Sequence, residues 1–242
     1  KLANLNPDDM KVSGRVDNDE YEKEEIRDFA LWKGYKEEDG DVWWDSPWGK
    51  GRPGWHIECS VMSTFYLGSS FDIHCGGVDN IFPHHENEIA QSKCALDDKF
   101  VNYWLHNEHL LVENEKMSKS QGNFYTIRDI LDKGYKSEVI RYVLISSHYR
   151  QKLNFTINRL DDAQKAINKL RELVRRLNEV KDNTPHDLNI DQLNEEFLND
   201  FKSNLYDDLN ISGALGALFI WVNKIFNLLD QNKINKNDAK KN

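Results

Sequence analysis

Cysteine is scarce in this chain, and its three copies, Cys59, Cys75 and Cys94, form an odd set without disulfide-scaffold spacing. That excludes a small disulfide-stapled fold. It points to a reducing compartment, the cytoplasm, where a conspicuous cysteine serves as ligand or core. Long hydrophobic runs are lacking too. No apolar stretch is expected to reach membrane-spanning length, and the opening "KLANLNPDDMK" has no apolar signal-peptide core, so no membrane is expected as partner. An excess of positive charge is also missing. The net charge of -9 argues against wholesale coating of nucleic acid, while leaving room for a local basic face. What is present is a polar chain of 242 residues, 30% of them charged. Its mean hydropathy is -0.74. That length suits one large or two ordinary domains.

Residues 1–40 are acidic and weakly periodic, and read as a lead-in, with a short strand expected over "FALWK" (29–33). From "SPWGKGRPGW" a loop opens into "HIECSVMSTFYLG", where Ile57, Val61 and Phe65 followed by Gly68 predict a helix with a glycine stop. "FDIHCGGVD" predicts a strand feeding a Gly-Gly loop. "PHHENEIAQSKCAL" predicts a helix with Pro83 at its first position, and "VNYWLH" a second strand. Strand, loop, helix and strand in this order imply a parallel α/β layer, whose ligands collect at the carboxyl ends of the strands. After Thr126, a good N-cap, every segment reads as helical. Apolar residues from Ile157 to Val180 recur every three or four positions and predict one long helix. Further helices are predicted through Leu193–Leu205 and Leu215–Leu229, with "KDNTPHD" as a break. The expected fold class is therefore α/β and then all-α.

Two segments carry chemistry. In "FPHHENEIAQ", His84 and Glu88 lie one turn apart on one helix face, where imidazole and carboxylate can share a zinc ion. Cys59 supplies a soft third donor from another helix. Spacing alone leaves a structural or hydrogen-bonding role open for all three, and His85 reads as a solvated or hydrogen-bonded histidine. In "EKMSKSQGN", two lysines, two serines and a glycine on a loop suit an anionic phosphate chain, although the segment lacks Walker spacing and also reads as a plain polar loop.

"KMSKS" (116–120) resembles the second signature of class I aminoacyl-tRNA synthetases. "GWHIECS" (54–60), "HCGGVD" (74–79) and "FPHHENEIAQS" (82–92) are similar to the cysteinyl-tRNA synthetases. The likeness runs from "SPWGKGRPGW" to "QGNF" and more loosely through the helices. It implies the second half of a Rossmann-like parallel-sheet catalytic domain followed by a helical region. On that basis residues 1–40 derive from a connective insertion, and 41–125 form the catalytic half. Residues 126–152 make a stem-contact-like segment, and 153–242 an incomplete helical bundle on the tRNA side.

The resemblance further implies that Cys59, His84 and Glu88 bind one Zn2+ per subunit, whose open position selects the thiolate of L-cysteine over the hydroxyl of serine. Trp55 and His74 would line the amino-acid pocket. Gly76, Gly77 and Asp79 would approach the adenosine of ATP, bound with Mg2+. Lys119, assisted by Lys116, would balance triphosphate charge as cysteine attacks the α-phosphate. The partners implied are tRNA(Cys), L-cysteine and ATP, and the family is usually monomeric. No His-x-Gly-His, the family's first signature, occurs in the chain. The family's fourth zinc ligand, a cysteine accompanying that signature, has no counterpart here, and Cys75 does not replace it. The chain alone is therefore expected to be inactive.

Other readings are a cysteine ligase of mycothiol synthesis and a non-catalytic, zinc-stabilised paralogue that binds RNA or protein. The cations Lys165, Lys169, Arg171, Arg175, Arg176 and Lys181 on the long helix read either as a solvated face or as tRNA phosphate contacts.

Overall fold

A computed structural model describes Leu2 and residues 28–96, 99–184 and 189–241. Residues 1 and 3–27 of the expected lead-in, including most of "DNDEYEKEEIRD", and part of "KDNTPHD" lie outside the described residues. The chain forms two compact units, residues 1–107 and 108–242.

In the first unit, β1 (Trp32–Gly34) pairs antiparallel with β2 (Gly51–Pro53). The strand starts three residues later than the sequence suggests. Gly51 is required there, since a Cβ would collide with the Lys33 carbonyl. α1 (Trp55–Leu67) ends as expected at Gly68, whose φ of 91° lies in the left-handed region. Val61 and Phe65 are exposed, at 57% and 78%, while His56 and Ser60 are buried. The interior that α1 faces is polar.

β3 (Phe71–Gly77) and β4 (Val101–Asn107) pair in parallel, with α2 (Glu86–Leu96) between them in the chain. This is the strand–helix–strand order read from the sequence. Phe82 is extended, at φ -136° and ψ 133°, and the helical path starts at Pro83 after a cis peptide bond. The register sets Gly76 opposite His106.

In the second unit, β5 (Leu110–Val112) pairs antiparallel with β6 (Glu115–Lys116) and parallel with β7 (Leu153–Phe155). β7 is a departure from the all-helical reading beyond Thr126. Three residues are too few to show a period, and the strand exists because β5 supplies its partner. The helices are α3 (Ile127–Asp132), α4 (Ser137–Ile145), α5 (Ile157–Glu179), α6 (Ile190–Tyr206), α7 (Ile211–Asp230) and α8 (Lys236–Ala239). Thr126 caps α3 by accepting from the Asp129 N–H at 3.1 Å, while the Asp129 carboxylate accepts from the Thr126 N–H at 2.7 Å. Thr156, Asn189 and Asn210 cap α5, α6 and α7 in the same side-chain manner.

One apolar cluster joins Val112, Ile130, Val139, Val143, Phe155 and Leu160, and a second joins Leu173, Ile190, Trp221, Val222 and Ile225. α5 spans both with its three-and-four periodicity. α7 is also long and apolar enough, by length and composition, to cross a membrane, which corrects the expectation that no run reaches that length. Its buried residues Trp221, Val222, Ile225 and Leu229 sit in the second cluster.

Candidate functional site

α1 contributes Trp55, His56 and Cys59. The turn into α2 contributes His84 and His85, α2 itself contributes Glu88, β3 contributes His74 and Gly76, and β4 contributes His106. His84 Nε2 lies 3.0 Å from Glu88 Oε1, and His74 Nε2 lies 3.5 Å from Oε2. Glu88 is fully buried, and neither of its oxygens accepts a hydrogen bond. One ligand atom from each of Cys59, His84 and Glu88 lies within 4.8 Å of the other two.

Two donors bound about 2.0–2.1 Å from one tetrahedral ion stand roughly 3.3 Å apart. The 3.0 Å separation of His84 Nε2 from Glu88 Oε1 is close to that spacing, and the sulfur, imidazole and carboxylate set suits zinc. His84 Nδ1 is 2.7 Å from His56 Nδ1, which leaves Nε2 free as ligand and fixes the ring. The Trp55 ring lies over His84, with centroids 4.0 Å apart.

The electrostatics follow from burial. Burial pushes the Glu88 carboxyl up, but His74 and His84 outweigh it and hold the pKa at about 2. Burial, with the Glu88 and Glu58 carboxylates, pushes the Cys59 thiol up, so without a metal it stays protonated at neutral pH. Burial, with the nearby His74, His106 and His84, lowers His85 to about 4 against the pull of Glu88, and its imidazole is neutral.

Of the residues singled out in the sequence, Cys59, His84, Glu88, His74 and Trp55 come together in the first unit. Gly76 and Gly77 end β3 beside them. A Cβ at Gly76 would lie 2.6 Å from His85 Cε1, and one at Gly77 would strike the Asp79 carboxylate. Asp79 is exposed. Cys75 is exposed and stands outside the donor set.

Lys116 and Lys119 belong to the second unit, and both are exposed. Asn123 organises their segment. Its Oδ1 accepts from the Ser118 N–H at 2.8 Å, and its Nδ2 donates to the Lys116 carbonyl at 3.1 Å. Met117 packs against the first apolar cluster of that unit, and Gly122 takes the left-handed φ of 70° that turns the chain back.

On α5, Lys165 pairs with Asp162, Arg171 with Glu138, Arg175 with Glu172 and Glu179, and Arg176 with Asp230. Paired carboxylates neutralise much of this face.

The sequence gives no role to His56 or His106, and of its two alternatives for His85, solvated or hydrogen-bonded, the second holds. His85 is 2% exposed and its Nδ1 lies 2.8 Å from His106 Nε2. His56 had a signal, since it stands one turn before Cys59 on the same helix. His106 had none until the strand register was known.

The description "tRNA synthetases class I (C) catalytic domain" matches residues 1–165. A cysteine–tRNA ligase of Brachyspira hyodysenteriae is 57% identical over 99% of this chain and 51% of its own length. One of Chlamydia felis is 51% identical over the same shares. The chain thus spans about half the length of these relatives. Among solved structures, a LeuRS of Agrobacterium radiobacter in ternary complex with tRNA and LeuAMS aligns with a TM-score of 0.57 at 13% identity. That alignment covers 81% of this chain and 32% of the other. Mycobacterium tuberculosis methionyl-tRNA synthetase bound by methionyl-adenylate aligns with a TM-score of 0.51 at 18% identity, over 65% and 34%. These two likenesses bear on the fold alone.

Proposed function

The chain belongs to the family of class I (C) tRNA synthetase catalytic domains, which matches more than half of it, and from that premise we propose that it serves cysteine–tRNA ligation. The reaction is ATP-dependent formation of cysteinyl-adenylate and transfer of cysteine to the 3′ end of tRNA(Cys). One observation carries the reading: Cys59, His84 and the orphaned, fully buried Glu88 converge from two helices.

These three residues would hold Zn2+. A zinc ion there supplies an acceptor that favours a thiolate over a neutral hydroxyl, which separates cysteine from serine by bond chemistry where a hydrophobic pocket discriminates poorly. His56 fixes the His84 ring through Nδ1. Trp55 covers that ring and, with His74, forms the amino-acid side of the pocket. Gly76 and Gly77 present bare backbone to the adenosine. The exposed Asp79 carboxylate accepts from ribose hydroxyls or from the substrate ammonium.

Lys119 and Lys116 balance charge on the Mg2+-bound triphosphate. The reaction asks for orientation and charge stabilisation, not for a protein nucleophile. On this reading residues 126–152 contact the tRNA-stem side and 153–242 belong to the helical tRNA-binding region of a cytoplasmic monomer. The 242 residues alone do not make adenylate, because no His-x-Gly-His occurs among them.

The test is cobalt substitution. Protein loaded with one equivalent of Co2+ should show a thiolate-to-cobalt charge-transfer band that Cys59→Ser abolishes. L-cysteine should intensify the band and L-serine should not. Equal responses to the two amino acids, or a band indifferent to Cys59→Ser, would overturn the reading.

A further inference from the structure

Residues 44–51 of the first unit close into a hairpin that is well braced although its side chains lie in solvent. The Trp44 N–H donates to the Gly51 carbonyl at 2.7 Å, and the Gly51 N–H donates back to the Trp44 carbonyl at 3.0 Å. Within that ring Ser46 holds the turn. Its Oγ donates to the Gly49 carbonyl at 2.6 Å and accepts from the Trp48 N–H at 3.2 Å. What this backbone presents is aromatic. Trp48 is 77% exposed and Trp44 55%, and Val42, two residues earlier, is 58% exposed. The Trp48 ring lies 6.5 Å from that of Trp32, a contact that restrains it without burying it. Indoles held in place before a partner arrives give large contact area at little cost in conformational entropy, and such residues dominate binding energy at protein interfaces.

Charge selects the partner. Glu37, Asp41 and Asp45 are exposed on or beside the same stretch, and among the described residues none of the three forms an ion pair. The neighbouring cations are engaged: Lys36 lies 3.5 Å from Glu38, and Arg52 lies 2.9 Å from Asp39. The Lys50 ammonium sits over two rings, 3.5 Å from the Trp43 centroid and 4.3 Å from that of Tyr35. Next to these carboxylates, therefore, the chain already holds one cation of its own on indole. A phosphate chain would meet three uncompensated negative charges, so RNA does not suit this surface.

We propose that the 44–51 hairpin docks a lysine- or arginine-bearing segment of a partner protein. Its cationic groups would lie on the Trp44 and Trp48 indoles and beside Asp41 and Asp45. The assignment goes beyond the proposed ligase reading and does not rest on it, since it uses no residue of the metal site or of the lysine signature.

Isothermal titration calorimetry of the full chain with a decapeptide of alternating lysine and arginine is the test. Wild type should bind the peptide. Trp48→Ala, and separately Asp41→Asn combined with Asp45→Asn, should each weaken binding about tenfold. The same loss of charge on α6, Glu195→Gln combined with Asp200→Asn, should leave affinity unchanged, which separates docking from general attraction to an acidic protein. All these variants alter exposed side chains, and an unaltered fluorescence transition verifies that the first unit is folded. The proposal is overturned if wild type does not bind, if Trp48→Ala binds like wild type, or if the α6 variant weakens binding as much as the hairpin variants. It is equally overturned if a single-stranded oligoribonucleotide binds in a Trp48-dependent manner, or if the chain self-associates in sedimentation and Trp48→Ala abolishes it. Those two results would make the occupant RNA or a second copy.

Discussion

The two units bury opposite kinds of side chain. Among the described residues, all the buried hydrophobics except Phe100 and Val101 lie in the second unit, and all the buried polar groups except Asn235 lie in the first. The second unit is held by apolar clusters of the ordinary kind, closed by capped helices. The first is organised around His56, His84, His85 and Glu88, groups that cost free energy to bury unless something satisfies them. The second unit buries groups that apolar packing satisfies, whereas the first keeps at its centre a carboxylate that faces His84 and His74. The chain also reports on them separately: six of its seven tryptophans lie in the first unit, leaving Trp221 for the second. Tryptophan fluorescence therefore follows the polar unit, and far-ultraviolet circular dichroism the helical one.

Ile225→Ala empties a fully buried position in the second unit. It should cost about 2–5 kcal/mol, moving the dichroism transition and leaving metal stoichiometry unchanged. Zinc at a hundredfold its Kd should stabilise the first unit by about 2.7 kcal/mol, and a chelator should remove that gain. The shift should appear in fluorescence and not in dichroism, and coincident transitions would erase the distinction.

In metal-free protein, His85 has a folded pKa of about 4, below its ordinary 6.5. The unfolded chain then binds the proton first, so stability falls as pH drops from 6.5 towards 4. The loss, discounted for solvent screening, is of order 1–2 kcal/mol. Glu88, held at about 2, adds a further loss only below about pH 4.5, where the unfolded carboxyl starts to protonate. The fluorescence transition should therefore move between pH 6.5 and 4.5, while dichroism holds steady. The smallest effect is expected from Arg175→Ala on the exposed face of α5. Its two pairs lie in solvent, and neither transition should shift measurably.

Much of the second unit was legible in the sequence because its periodic apolar residues and caps act locally: Leu160, Leu173 and Leu177 are buried along α5 as their spacing predicts, and Thr126 caps α3. β7 was illegible because a three-residue strand is defined by its partner. In the first unit, the His84 and Glu88 pair was readable from helical spacing. Its link to Cys59 was drawn from the softness of sulfur as a zinc donor and strengthened by family likeness, since distance along the chain says little. The spacing of Ile57, Val61 and Phe65 gave α1 and its stop at Gly68 correctly, but it carried no sign that His56 and Ser60 would be the buried residues. His106 depended on strand register, which no local pattern encodes.

Asn123 carries one last consequence. A single planar amide bridges the Ser118 N–H and the Lys116 carbonyl, so turning that side chain away would release the backbone on both sides of Met117 together. The segment would then stay moored through Met117, whose side chain packs on the apolar cluster.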